Sequence, residues 1–96
     1  MLTGEQRIMK LNEQRWLCAY CGRPLDVMTA QAAHRIADTK SNRRKYGNDI
    51  VDAYENIAMT HAGRCNDGMN IGFNPGKCTQ LINRIREHDI CRTTIR

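Results

Sequence analysis

Residues 56–70, NIAMTHAGRCNDGMN, set His61 and Cys65 four positions apart with asparagines on either side. In a helical turn that spacing brings both side chains to one face, where they can close on the same ion. Upstream, CAYCG at 18–22 supplies Cys18 and Cys21 as a C-x2-C pair, with Gly22 where the backbone must turn sharply after the second thiolate. Two such pairs make a tetrahedral set and predict a structural Zn2+ held by Cys18, Cys21, Cys65 and a fourth ligand. His61 and Cys78 compete for the fourth place. His61 is favoured, because Cys78 falls on the apolar stripe of a later helix, where a free cysteine behaves as a small core residue. Four protein ligands leave no open position for water or substrate, so this ion is structural.

Working outward, Thr3 and Gln6 form a capping-box pattern, and Ile8, Leu11 and Leu17 predict a helix over 4–16. A hairpin strand is expected within 26–37. NIAMT, 56–60, alternates apolar and small residues and predicts the returning strand. A short helix then starts near Ala62, against the preferences of Gly63 and Gly68. Residues 38–50 carry no apolar periodicity and read as a loop. Asn74 is a good N-cap, Pro75 suits the first helical position, and Cys78, Leu81, Ile82 and Ile85 recur at helical spacing, predicting an amphipathic helix over 75–89. The class is α+β.

The 96 residues are expected to form one domain, 1–96, with a thin core, since the chain has one Trp and one Phe. A metal is an apt brace for so small a fold. The formal charge of +5 is concentrated in RIADTKSNRRKY, 35–46, where Arg35, Lys40, Arg43, Arg44 and Lys45 face only Asp38. Such a segment is expected to contact phosphates of an anionic partner. No apolar run approaches the ~18 residues of a membrane span, and no signal-peptide pattern opens the chain, so a cytoplasmic protein without a membrane partner is expected. Five cysteines in a reducing compartment point to metal rather than disulfides. Cys91 reads as a buried or terminal thiol, and His88 as a residue serving a helix dipole.

With the ligands set aside, His34, Asn56 and Asn66 stand out as polar residues around the hairpin. The sequence CAYC, then AHRI, then an Asn opening NIAM, then RCN resembles the HNH endonucleases over residues 18 to about 78. QAAHRIADTKSNRRKYG looks like phage and bacterial members that carry Ala rather than Asp before the histidine. The resemblance implies a zinc-stabilised ββα-metal core with flanking N- and C-terminal helices, and hydrolysis of DNA phosphodiester bonds with low sequence specificity. It implies His34 as general base, for which the ordinary imidazole pKa near ~6.5 is suited. It makes Asn66, together with His34, a holder of a catalytic Mg2+ or Mn2+, with Asn70 as a substitute. Asn56 would orient the loop or the histidine. Ala33 stands where many members have an acidic ligand, so His34 itself, a water, or Asp38, Asp49 or Asp52 would complete the ion's shell. Arg84, Arg86, Arg92 and Arg96 add candidate phosphate contacts, and a homodimer would allow both strands to be cut. The alternative expectation is a zinc-stabilised DNA-binding module without catalysis. A thiol redox protein built on CAYC lacks the thioredoxin-like surroundings it needs.

Overall fold

Antiparallel pairing of β1 (Gln31–His34) with β2 (Ile57–Thr60) frames the molecule, in the register Gln31 to Thr60, Ala32 to Met59, Ala33 to Ala58 and His34 to Ile57. The computed structural model describes residues 2–95, with side chains through residue 88. Before β1 runs α1 (Gly4–Glu13). Between the strands lie α2 (Lys40–Tyr46), α3 (Asn48–Val51) and a 3-10 turn, and after β2 come α4 (Arg64–Gly68) and α5 (Pro75–Ile95). The class is α+β, as expected. The expectations for Cys91, Arg92 and Arg96 concern side chains outside the described residues.

Thr3 begins α1 with the reciprocal capping box: its hydroxyl accepts from the Gln6 N–H at 3.1 Å, and the Gln6 side chain accepts from the Thr3 N–H at 2.9 Å. The helix ends at Glu13 rather than near residue 16. Arg15 and Trp16 take left-handed backbone angles, φ 56° and 58°, and the Trp16 N–H bonds back to the Leu11 carbonyl. That reversal sends the chain into the Cys18–Cys21 knuckle, closed by a bridge between Leu17 and Pro24. Leu11 is buried, while Ile8 and Leu17 stay exposed.

β2 falls where the alternation of apolar and small residues predicted a returning strand, and all four of its residues are buried. Met59 packs with Leu11, Cys18, Leu25 and Ala30 in a cluster beneath α1 and the knuckle. The strand's outer edge is also covered, in part by a side chain. The Gln14 amide donates to the Met59 carbonyl at 2.8 Å and accepts from the Met59 N–H at 2.9 Å, imitating one residue of a third strand. Ala19 adds a second donor to the same carbonyl.

The stretch 38–50, expected to be a loop, is mostly helical. Thr39 caps α2 by accepting from the Asn42 N–H at 3.0 Å, and Gly47 at φ 96° turns the chain from α2 into α3. Sequence periodicity could not reveal α2, because no residue of it is buried. α3 contributes Ile50 and Val51 to a second cluster with Ile36, Cys78, Leu81 and Ile85. Asn74 caps α5 as expected, its side chain accepting from the Lys77 N–H at 3.1 Å. Because α5 runs on past residue 89, His88 sits within the helix and meets Glu55 at 2.6 Å instead of serving a helix end. No described helix is long and apolar enough to cross a membrane.

Candidate functional site

Cys18 and Cys21 come from the knuckle, His61 from the end of β2 and Cys65 from the first turn of α4, which Gly63 (φ 72°) sets at an angle to the strand. Their ligand atoms lie within 4.8 Å of one another, and these four could hold a metal ion such as zinc. A tetrahedron with ~2.3 Å metal–sulfur bonds has edges of ~3.7 Å. His61 Nδ1 stands 3.4 Å from Cys21 Sγ and 3.9 Å from Cys65 Sγ, which fits that edge. A carbonyl can only accept, so the 3.0 Å contact of His61 Nε2 with the Pro24 oxygen fixes the proton on Nε2 and leaves the Nδ1 lone pair facing the sulfurs. Cys78 is not part of the group. It is buried in the second cluster, where its thiol donates to the Ile71 carbonyl at 3.3 Å.

Crowding three thiols divides their acidities. Burial resists ionisation of Cys18, yet donors from the Cys21, His61 and Tyr20 backbone and the Cys21 thiol bring it down to about 6. Cys65 is pushed up to about 11, first by desolvation and then by the neighbouring Cys21 and Cys18 sulfurs. The Pro24 bond and the Cys18 sulfur raise His61. One thiolate is therefore accommodated readily and a second resisted, the electrostatic pattern of a cluster prepared for a cation.

Beside this centre, His34, Ala37, Asp38, Asn66, Asp67 and Asn70 line a hollow of about 290 Å³. His34 and Asn66 thus meet in one place. The Asn66 amide donates to the Ala32 carbonyl of β1 at 3.3 Å, which leaves its side-chain oxygen as the acceptor turned from the strand. The His34 Nε2 is buried without a hydrogen-bond partner among the described residues. Asn70 is committed to the Gly72 N–H at 2.8 Å. Asp38 reaches the hollow, but Asp49 and Asp52 line a different cavity. Asp67 was not singled out from sequence. Its one available signal was an acid next to Asn66 in a short helix.

Of the two partners expected for Asn56, the loop or the histidine, its side chain hydrogen-bonds the loop. Fully buried, it accepts from the Ile36 N–H at 2.8 Å and donates to the Ile36 and Val51 carbonyls at 3.0 and 2.9 Å. It ties together the two ends of the insert between the strands. Of the basic stretch, Lys40, Arg44 and Lys45 are exposed on or near α2 and Arg35 is half-buried. Arg43 is engaged at the surface by the chain's own groups, with Asp38 at 2.7 Å, Asp52 at 2.8 and 3.1 Å, and Asn48 at 3.1 Å. Hydrogen bonds from Arg43 hold both carboxyls below the usual range and raise the guanidinium in return.

No protein-family model, curated protein or solved structure matches the chain. Fold and site define an α+β protein with a Cys3His group that could hold a metal ion.

Proposed function

We propose that the chain is an HNH-type endonuclease that hydrolyses DNA phosphodiester bonds, with Zn2+ at Cys18, Cys21, His61 and Cys65 as a structural ion. The observation that carries this reading is the meeting of His34 and Asn66 in one polar hollow braced by the Cys3His centre. Cys65 and Asn66 are sequence neighbours on α4, so fixing Cys65 fixes Asn66 against β1.

His34, whose side chain lines the hollow, takes the proton from an attacking water. The Asn66 oxygen and the Asp67 carboxylate are hard donors of the kind Mg2+ or Mn2+ prefers, and Asp67 stands in no ion pair among the described residues. A divalent ion there would supply charge to offset that building on the phosphoryl oxygens. Asp67 thereby takes the part of the acid missing at Ala33. Lys40, Arg44 and Lys45 offer exposed phosphate contacts without reading sequence, and cutting both strands calls for a homodimer or two events.

A second reading has its own support: no three His, Cys, Asp or Glu groups among the described residues other than the Cys3His set approach one ion. On that reading the chain binds DNA without cutting it. Supercoiled plasmid incubated with zinc-loaded protein, with and without Mg2+ or Mn2+, separates the two. Ion-dependent nicking that disappears in His34→Ala supports the nuclease. Binding without cleavage under every ion supports the module.

A further inference from the structure

Across segment 66–71 from the His34 hollow lies a second hollow of about 320 Å³, walled by Gly68, Met69 and Ile71 on one side and by α5 on the other. We propose that it is an oxyanion site that takes a phosphate group on Arg35, Lys77 and Arg84, with Gln80 as an additional polar contact. Nothing in its lining is acidic.

Three observations carry the assignment. First, the Arg35 Nε is buried and has no hydrogen-bond partner among the described residues, so one donor of this half-buried side chain is enclosed with no acceptor. Burying such a group unpaired is costly, and an anion removes that cost. Second, Arg35 and Arg84 oppose each other. Desolvation and then the Arg84 charge make the Arg35 guanidinium less basic than usual. Like charges converging on one cavity are stable when an anion lies between them, and the planar guanidinium fork matches phosphate geometry. Third, none of the three cations is in an ion pair among the described residues, whereas Arg43 holds two carboxylates. The carboxylates nearest this wall line the larger cavity on the other side of Arg35 and Arg84. There Asp52 is held by Arg43 and Glu55 by His88, while Glu13 and Asp49 also line that larger cavity and not this one.

The backbone makes the site firm. Arg35 continues the ladder past β1, its N–H donating to the Asn56 carbonyl at 2.8 Å and its carbonyl accepting from the Ile71 N–H at 2.8 Å. Successive residues of an extended chain face opposite ways. His34 therefore enters one hollow and Arg35 the other, and the phosphate site adjoins the proposed catalytic one without depending on it. The phosphate has two sources, free phosphate and the phosphodiester of a nucleic-acid strand.

The test begins with 1H–15N spectra of the full zinc-loaded chain titrated with inorganic phosphate, against chloride at equal ionic strength. Saturable shifts at the Arg35 and Arg84 Nε–H and at the Met69 and Ile71 amides, absent with chloride and lost in Arg84→Gln, are expected. The same spectra report whether the variant is folded. Lys77→Gln, at an exposed position, should weaken binding several-fold. Affinity for a duplex oligonucleotide, read by anisotropy without divalent ion, then identifies the source. A salt-dependence slope smaller by about 1 in each variant assigns the site to a phosphodiester, and an unchanged slope assigns it to free phosphate. Phosphate shifts no larger than those of chloride, or equal responses in wild type and Arg84→Gln, would overturn the site. No arm needs catalysis, so absence of cleavage would count against the nuclease alone.

Discussion

Asn56 and His34 flank the end of the hairpin from which the insert departs, yet their side chains are spent differently. Asn56 satisfies one N–H and two carbonyls of the insert from a fully buried position. Asn56→Ala should lower unfolding free energy by about 3 kcal/mol, since buried polar groups left unpaired cost ~1–3 kcal/mol each, and urea denaturation reads this directly. His34 makes no hydrogen bond among the described residues. Its alanine variant should stay within ~1 kcal/mol of wild type, and on the proposed nuclease reading it would lose ~10²-fold or more in plasmid cleavage. Equal destabilisation in the two variants would remove the distinction. The four residues of the Cys3His group were legible, because C-x2-C and H-x3-C spacings are local, and His34 and Asn56 stood out as polar residues of the hairpin. The sequence did not show the partners of Asn56, which lie 20 and 5 positions away along the chain, nor that Asp67 would line the same hollow as His34.

The elements whose cores are apolar were legible at their starts: α1 and α5 begin at their caps, and both strands lie where expected. α2 was hidden because polar contacts hold it, with Thr39 capping its start and Arg43 clamping it to Asp38 and Asp52. The same clamp draws one cation of the basic stretch away from any phosphate. The end of α1 was also hidden, since nothing in Arg15 or Trp16 announces a left-handed turn. What that turn accomplishes is the placement of Gln14 against β2. Gln14→Ala should unpair the Met59 edge, cost about 2 kcal/mol and speed hydrogen exchange at the Met59 amide well above that of Ala58. Unchanged exchange would mean that burial of β2, rather than the glutamine acceptor, protects the Met59 amide.

At the scale of the molecule, two small clusters share the apolar burial, and the Cys3His group sits at the edge of the first, with Cys18 inside it. With zinc in that group, a chelator should abolish the cooperative thermal transition, and Cys18→Ala or Cys65→Ala should do the same, as binding energy at such sites is folding energy. The pH dependence has a definite sign. Cys65, pushed up to about 11, carries its proton at neutrality and must release it to the ion. Lowering the pH therefore weakens zinc binding, about tenfold per unit for one displaced proton, and His61, whose proton is also held more tightly, adds to the loss. A competition titration between pH 7.5 and 6.5 measures it. Affinity that is flat over this range would mean the ligands are already ionised.

The insert that Asn56 ties shut has a kinetic consequence. β1 and β2 form a hairpin in space but not in sequence, and Ile36 and Asn56 stand 20 positions apart. Cys21 and His61 stand 40 apart. Strand pairing and metal ligation therefore each require closing a long loop before any contact stabilises it, an entropy cost that rises with the logarithm of loop length. α2 and α3, forming within the loop, shorten the effective span, and a metal ion first held by Cys18 and Cys21 gives His61 and Cys65 a fixed point to reach. Refolding should accordingly be slower than in a helical chain of this size, and faster with zinc present from the start than with zinc added after the chain has been released from denaturant.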